Sequence, residues 1–306
     1  MSAIVLADHD DPDFAVAAGG TSDVRLFPLG LPADEYRLIR SGGQWALHTS
    51  RCVLSERHVA SASRVVVRRW RSSPPRPLVD VERSARRTDP VAQYVQRQWE
   101  STVLGLLFLA YTARPEGWSR SPFHVDNKIV THHVLADLGV LPDCAIAQDL
   151  NDVPVWPATV AKPIDSDQSC GTDRRATTLL VSPADRRTRQ PGPMMTQRAI
   201  ISSREIRAVY SFGQIGAVVH TRDVDADSVD TRLALSGEIA PFASSRLRTV
   251  MEQISRRLAL RVFTVDVKLD DDDRLWWLDV NPDGLVSPFD DVDGTLRHTL
   301  LAGLRN

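Results

Sequence analysis

The chain has 306 residues, with 37 Lys+Arg against 39 Asp+Glu and a formal net charge of −2 at pH 7. That balance excludes a protein that coats nucleic acid or an anionic membrane surface. A hydrophobic fraction of 42% with 25% charged residues excludes a disordered or fibrous chain and leaves a globular protein of about two domains.

The longest apolar run, Val103 to Ala110, falls far short of the roughly 20 residues that a helix needs to cross a bilayer. No basic segment precedes Ile4, and Asp8, Asp10, Asp11 and Asp13 follow it, so no secretory leader is expected. Cys52, Cys144 and Cys170 are widely spaced and odd in number, which fits a reducing compartment; a soluble cytoplasmic protein is the expectation. Of the 37 basic residues only Lys128, Lys162 and Lys268 are lysines. They are either remnants of an arginine-rich coding bias or places that need a compact ammonium rather than a planar guanidinium.

In chain order, Ile4–Ala7 and Val65–Val67 read as buried strands of an open α/β sheet. Residues 71–77 are proline-rich loop. Asp89-Pro90 caps a helix whose stripe is Val91, Tyr94, Val95, Gln98 and Trp99, running toward Leu107. Arg114–Pro122 is loop, with a domain boundary near Ser121, and a short helix then carries Asn127-Lys128 and ends near Gly139. Val155–Ala161 leads into Lys162-Pro163, followed by the polar stretch Asp165–Thr178 and by strands at Thr178–Ser182 and Met194–Ile201. Glu205–Tyr210 and Ile215–His220 form a hairpin, and Ser244–Leu260 is a helix with Leu247, Val250, Met251, Ile254 and Leu258 along one stripe. The His132-His133 pair lacks zinc spacing and reads as packing.

The most informative segment is a second hairpin, Phe263–Leu269 with Leu275–Asn281. If its loop is Asp271–Arg274, Asp266 faces Asp279, Asn281 faces Thr264, and Asp266, Lys268, Asp279 and Asn281 share one side. Val265, Val267, Leu278 and Val280 then form an apolar opposite side. Facing carboxylates repel. Either the register slips by one residue and both point into water, or they hold a divalent cation. Two carboxylates and an amide oxygen suit Mg²⁺, which takes its other ligands from water and substrate phosphates.

Asp266 with Asp279-Val280-Asn281-Pro282-Asp283-Gly284 resembles the metal-binding end of the ATP-grasp ligases, with Asp279 in place of the family's Glu. Lys128 and Val160-Ala161-Lys162-Pro163 resemble its two phosphate-binding lysines, and Met194–Ile200 its adenine hinge, with Arg198 in place of an acidic residue. Glu205-Ile206-Arg207 and Asp230-Thr231-Arg232 are similar to its arginine motifs. Val67-Arg68-Arg69-Trp70, with Asn127-Lys128, Gly139 and Pro142, narrows the resemblance to the graspetide (microviridin-type) macrocyclases, relatives of the ribosomal S6 glutamate ligase type.

The resemblance implies an α/β (α+β) ATP-grasp fold with an N-terminal open α/β pre-ATP-grasp domain at 1–120, a central subdomain at 121–190 and a C-terminal one at 191–306. It implies ATP-dependent activation of a side-chain carboxylate as an acyl phosphate, giving ester or amide crosslinks in a ribosomal precursor peptide that carries a leader. Asp266, Asp279 and Asn281 would hold Mg²⁺, Lys128 and Lys162 the nucleotide phosphates, and Gln197, Arg198, Ala199 and Ile200 the adenine. Ser169 and Gly171 would lie in the phosphate-covering loop, and Arg207 and Arg232 would steady the transferred group. Relatives of this type form homodimers. Two alternatives stay open: a free amino-acid or dipeptide ligase, and a catalytically weak scaffold that binds nucleotide or peptide.

Overall fold

The computed structural model describes residues 3–8, 11, 13–14, 24–29, 37–41, 43–49, 51–68, 98, 105–122, 124, 127–154, 156–163, 179–181, 189–221 and 237–305. The chain opens with β1 (Ala3–Asp8), β2 (Val24–Leu29), β3 (Arg37–Ser41), β4 (Gln44–His48), β5 (Val53–Ser55), α1 (Glu56–Ser61) and β6 (Arg64–Val67). Strands β2-β1-β6 form a parallel sheet and β3-β4-β5 an antiparallel one. The expected strands at Ile4 and Val65 are therefore neighbours in one sheet. Helix α2 (105–113) takes up the end of the helix expected from Asp89; residues 89–97 and 99–104 lie outside the described residues.

β1 is buried on both faces, which is why it reads as an unbroken apolar run. Ile4 and Leu6 pack with Leu47, Leu54, Val59, Leu106, Leu107 and Trp118. Ala3, Val5 and Ala7 pack with residues from the far end of the chain, among them Val209, Val218, Val286, Leu296 and Leu300. The N-terminal sheet thus shares a core with the C-terminal sheet.

Next come α3 (Lys128–Leu135), β7 (Cys144–Asp149), β8 (Thr159–Pro163), β9 (Leu179–Leu180) and β10 (Arg189–Arg198). These strands form the central sheet, of order β7-β10-β8-β9. β10 starts five residues before the expected Met194 and ends at Arg198, because the amides of Arg198 and Ala199 already bond to the carbonyls of Asp143 and Ala158 at the neighbouring strand ends. Finally β11 (Arg204–Ser211), β12 (Gln214–Thr221), β13 (Glu238–Pro241), α4 (Ser245–Leu258), β14 (Val262–Leu269), β15 (Leu275–Asn281) and α5 (Thr295–Arg305) build a five-stranded antiparallel sheet of order β13-β12-β11-β14-β15 with two helices.

The Ser244 hydroxyl caps α4 by accepting from the Leu247 amide at 3.3 Å. The buried stripe Leu247, Val250, Met251 and Ile254 packs with Ile206, Ala208, Val265, Val267, Trp277 and Val280. One face of the sheet is thereby committed to packing and the other is left for chemistry. Among the described residues no helix is long and apolar enough to cross a membrane.

Helix α5 approaches β11 through Gly303, where an added Cβ would lie 2.2 Å from the Ser211 carbonyl oxygen. Gly303→Ala should therefore destabilise the protein by about 1–3 kcal/mol through overpacking. Gly105→Ala, in α2 with nothing within 4 Å of the new Cβ, should be neutral or slightly stabilising. Thermal melts of the two variants check the contrast.

Candidate active site

Strand alternation builds the site. β11 runs antiparallel to β14 with Arg207 opposite Asp266 and Glu205 opposite Lys268. β15 continues the face, with Asp279 opposite Asp266 and Asn281 opposite Thr264. The facing aspartates expected from the sequence are present.

The route to that register differs from the expected one. The loop is one residue longer, Asp270–Arg274, so that Leu269 pairs with Leu275 and Lys268 with Trp276. Asp270 leaves the ladder because its carboxylate accepts from the Asp272 amide at 3.1 Å, the Arg274 amide at 2.8 Å and Trp276 Nε1 at 2.7 Å. The Trp276 bond leads the effects that hold its pKa below the usual carboxylate value. A β-bulge at Leu278 then restores the pairing at Asp266 and Asp279. Trp277, fully buried, takes the place expected for Leu278 on the apolar face, while Trp276 stands on the site face.

The bulge has a chemical consequence. It turns the Leu278 carbonyl toward β8, where it accepts from Lys162 Nζ at 3.0 Å. Lys128, the first residue of α3, places its ammonium 3.6 Å from Asp279 Oδ1. Asn127 fixes that helix end, its Oδ1 accepting from the Ile129 amide at 2.9 Å. Arg207 donates to Asp266 through Nη1, and to the Leu285 carbonyl through Nη2 at 2.7 Å. Lys128, Lys162 and Arg207 are 7%, 8% and 6% exposed, so all three cations act in a shielded setting.

Burial works against the Asp279 carboxylate, yet Lys128, Lys162 and Arg207 outweigh it and hold its pKa below the ordinary value. Burial lowers the pKa of the Lys162 ammonium; Lys128 adds to that effect, and Asp279, Asp266 and Glu205 oppose it.

At the other end of the cleft lies β10, with Gln197 opposite both Cys144 and Val160, on the face that carries Lys162. Gln197 Nε2 lies 2.8 Å from His132 Nε2, and His132 Nδ1 lies 3.4 Å from Cys144 Sγ. Lys268 donates to the Ile200 carbonyl at 3.1 Å. The Arg198 guanidinium lies 4.9 Å from the centre of the Trp276 ring, and Arg274 sits over the same ring at 3.9 Å.

The structure thus brings together Lys128, Lys162, Arg207, Asp266, Asp279 and Asn281, with Gln197, Arg198, Ala199 and Ile200 along the neighbouring strand end. Ser169, Gly171 and Arg232 lie outside the described residues. Sequence reasoning missed His132 as a site neighbour, although it lies one helical turn after Lys128 and so on the same face. It also missed Arg120, whose Nη2 holds both oxygens of Asp283 at 2.8 and 2.7 Å. Asp13 and Arg68, whose bonds reach the turn after Asn281, were missed too. No local pattern marks these residues, because their partners are more than 150 positions away or in another element.

Two buried polar atoms test what the cleft fits. Among the described residues, Arg207 Nε and Gln197 Oε1 have no hydrogen-bond partner. Each such orphan costs about 1–3 kcal/mol. The first is a donor beside the aspartates and suits an anionic oxygen; the second is an acceptor at the strand end and suits a ligand N–H. Among the described residues no group of three or more His, Cys, Asp or Glu gathers as a metal site. A cation at Asp266, Asp279 and Asn281 would therefore draw further ligands from water and ligand oxygens, the habit of Mg²⁺. Asn281 Oδ1 accepts from the Asp283 amide at 2.8 Å and keeps a second lone pair. The donor set fits a magnesium-bound polyphosphate.

No protein-family profile and no curated protein matches the sequence. Solved structures do match along nearly the whole chain. The macrocyclase MdnC from Microcystis aeruginosa MRC, bound with the precursor peptide MdnA, superposes with a TM-score of 0.74 at 17% identity, covering 99% of both chains. A RiPP-associated ATP-grasp ligase from Chryseobacterium gregarium, in complex with ADP and a leader and core peptide, gives 0.72 at 14% identity, covering 99% of this chain and 96% of the other. The chain has the ATP-grasp fold. D-alanyl-alanine synthetase A from Vibrio cholerae shares this ATP-grasp architecture more distantly, at 0.51 and 11% identity over 99% of this chain and 92% of that one.

His132 titrates within this ATP-grasp cleft. Burial, then the charges of Lys162 and Lys128, partly offset by Asp279, push its pKa down from 6.5 to about 4. Between those values the unfolded chain binds a proton that the folded chain refuses, so the contribution present above pH 6.5 is lost as pH falls toward about 4. His132→Gln should remove that part of the acid destabilisation. In urea titrations across this window wild type should lose stability relative to the variant as pH falls from 6.5 toward about 4; parallel profiles would contradict the assignment.

Proposed function

We propose that this chain is an ATP-dependent carboxylate ligase that crosslinks a ribosomally made precursor peptide through side-chain ester or amide bonds. The observation that carries this reading is the convergence of three buried cations on two facing aspartates, with the Arg207 Nε–H left unpaired. The peptide-bound complexes of MdnC and of the Chryseobacterium ligase, and an ATP-grasp ligase, PsnB, complexed with a precursor variant, Mg and ADP, support the substrate class.

Joining a carboxylate to an alcohol or amine is uphill in water, so the acid is first phosphorylated by ATP. Phosphoryl transfer asks a protein chiefly for positioning and charge neutralisation. Asp266, Asp279 and Asn281 would hold magnesium, which would supply charge neutralisation to the nucleotide. Lys128 and Lys162 neutralise the phosphates beside it. Lys128 pairs with Asp279 and Arg207 with Asp266. The same cations can meet phosphate while a divalent cation meets the carboxylates, so the cleft's charges are matched in either pairing. Arg207 steadies the transferred phosphoryl group and the oxyanion that follows.

The Arg198 and Ala199 amides are already engaged, so the purine edge is read by Gln197 Oε1 and by backbone from Ile200 onward. By the resemblance of their sequence positions, Arg232 is assigned the same task as Arg207, and Ser169 and Gly171 the task of covering the phosphates. Residues 1–120 form the peptide-handling domain, and the central subdomain starts at 121; since β10 pairs with β7 and β8, it ends after Arg198 rather than at 190, and the C-terminal subdomain begins there. The enzyme works in the cytoplasm, where a ribosomal precursor is made.

The test uses a candidate precursor: a Thr/Ser- and Asp/Glu-rich peptide with its leader, encoded beside this gene. Wild type should release ADP and the peptide should lose one water per ring by mass spectrometry. Asp266→Asn and Lys162→Ala should fall to background, and Arg207→Lys should lose about 10²–10³ in rate. Equal ADP release by all four proteins would mean a non-catalytic scaffold. Turnover of free amino acids without peptide would mean a small-molecule ligase.

A further inference from the structure

Residues 281–287 turn the chain directly after the last candidate metal ligand, and they are held from three sides. Within the turn, the Asp283 amide donates to Asn281 Oδ1 at 2.8 Å and the Gly284 amide to the Asn281 carbonyl at 3.3 Å. From the stretch after α2, Arg120 Nη2 donates to both carboxylate oxygens of Asp283. From the segment that follows β1, the Asp13 carboxylate accepts from the Val286 amide at 3.1 Å and from the Ser287 amide at 2.8 Å, and it also accepts from the Ser287 hydroxyl.

Asp13 is 0% exposed, and its counter-charge is Arg68 at the end of β6, itself 1% exposed, with Nη2 donating to Asp13 Oδ2 at 2.8 Å. Arg68 Nε also donates to Asp11 at 3.3 Å, and its guanidinium lies over the Phe14 ring at 5.2 Å.

Such a buried ion cluster gives little net stability, because desolvation offsets most of the attraction. It does fix geometry, and what it fixes is Leu285. That residue sits between the Asp283 and Val286 anchors, and its carbonyl accepts from Arg207 Nη2. Gly284 touches the same group: a Cβ there would lie 1.8 Å from Thr264 Oγ1 and 2.8 Å from Arg207 Nη2. A continuous series of bonds therefore runs from Arg68 through Asp13, Val286 and Ser287, and the Leu285 carbonyl to Arg207.

We propose that Asp13 and Arg68 are positioning residues that aim Arg207 at the terminal phosphoryl group of the bound nucleotide, making the N-terminal sheet a working part of the catalytic cleft. The inference rests on the nucleotide reading given under Proposed function. Arg207 holds its carbonyl partner only while the 283–287 turn is pinned; with the Asp13 charge gone, the turn relaxes and the guanidinium loses its fixed direction. Lys128 and Lys162 take their positions from α3, β8 and the bulge, so they stay in place.

Calorimetric binding of Mg·AMP-PNP and Mg·ADP tests this without the peptide. Wild type should bind AMP-PNP about tenfold more tightly than ADP, the margin given by charge-assisted contacts to the terminal group. Asp13→Asn should shrink that margin to about threefold or less while leaving ADP affinity within about twofold, and Asp13→Asn with Arg207→Lys should be no worse than Arg207→Lys alone. Ser287→Ala, which removes one bond and spares the buried charges, should narrow the margin partway and guards against a misfolded Asp13→Asn. An unchanged margin in both variants, or additive losses in the double variant, would overturn the positioning role. Equal loss of ADP and AMP-PNP affinity would show a merely structural cluster. A wild type that binds neither nucleotide would instead overturn the nucleotide reading itself.

Discussion

Two aspartates face each other across β14 and β15, and left alone they would repel in a half-buried setting. The rest of the site exists to make that pairing tolerable. Arg207 comes from the adjacent strand, Lys128 from the first turn of α3 and Lys162 from β8 of the central sheet, where it rests on a carbonyl at the bulge. Three elements distant in sequence thus meet at one electrostatic problem. In the proposed function the same arrangement would give a polyphosphate its cations and a divalent metal its carboxylates, one set of charges serving two pairings.

The geometry of this meeting depends on two local irregularities in the β14–β15 hairpin. Asp270 prefers to cap its own turn over staying in the ladder, which shifts the register by one near the loop. The bulge at Leu278 shifts it back before Asp279 is reached, and the carbonyl it frees becomes the anchor for Lys162. A regular hairpin would place the same two aspartates opposite each other but would offer Lys162 no such acceptor. Bulges beside functional residues commonly serve in this way.

Much of this was legible in the sequence because it is local. Alternation in 263–269 and 275–281 places Asp266 and Asp279 on one face, the spacing of Leu247, Val250, Met251 and Ile254 gives α4, and Asn127 ahead of Lys128 marks a helix start. The bulge was not legible, since an extra residue and a longer loop cancel at the very positions that were compared. Nor was the cluster of Asp13 and Arg68: Val67-Arg68-Arg69-Trp70 marks the resemblance, but nothing local pairs Arg68 with Asp13 or ties Asp13 to the 283–287 turn. His132 reads as a packing residue on a helix stripe, and only the β10 strand laid beneath it shows that it touches Gln197. Strands β2 to β5 carry weak alternation, and tertiary packing against Leu6 and Val67 decides them.

The central claim is that Asp266, Asp279 and Asn281 hold a metal beneath a triphosphate. Anomalous diffraction from crystals grown with Mn²⁺ and AMP-PNP measures it directly. The account predicts a manganese peak bridged by those three side chains and the nucleotide's terminal phosphates, with Lys128 and Arg207 turned from carboxylate to phosphate. Nucleotide bound with no metal at these residues, or both aspartates still paired to their cations, would contradict it.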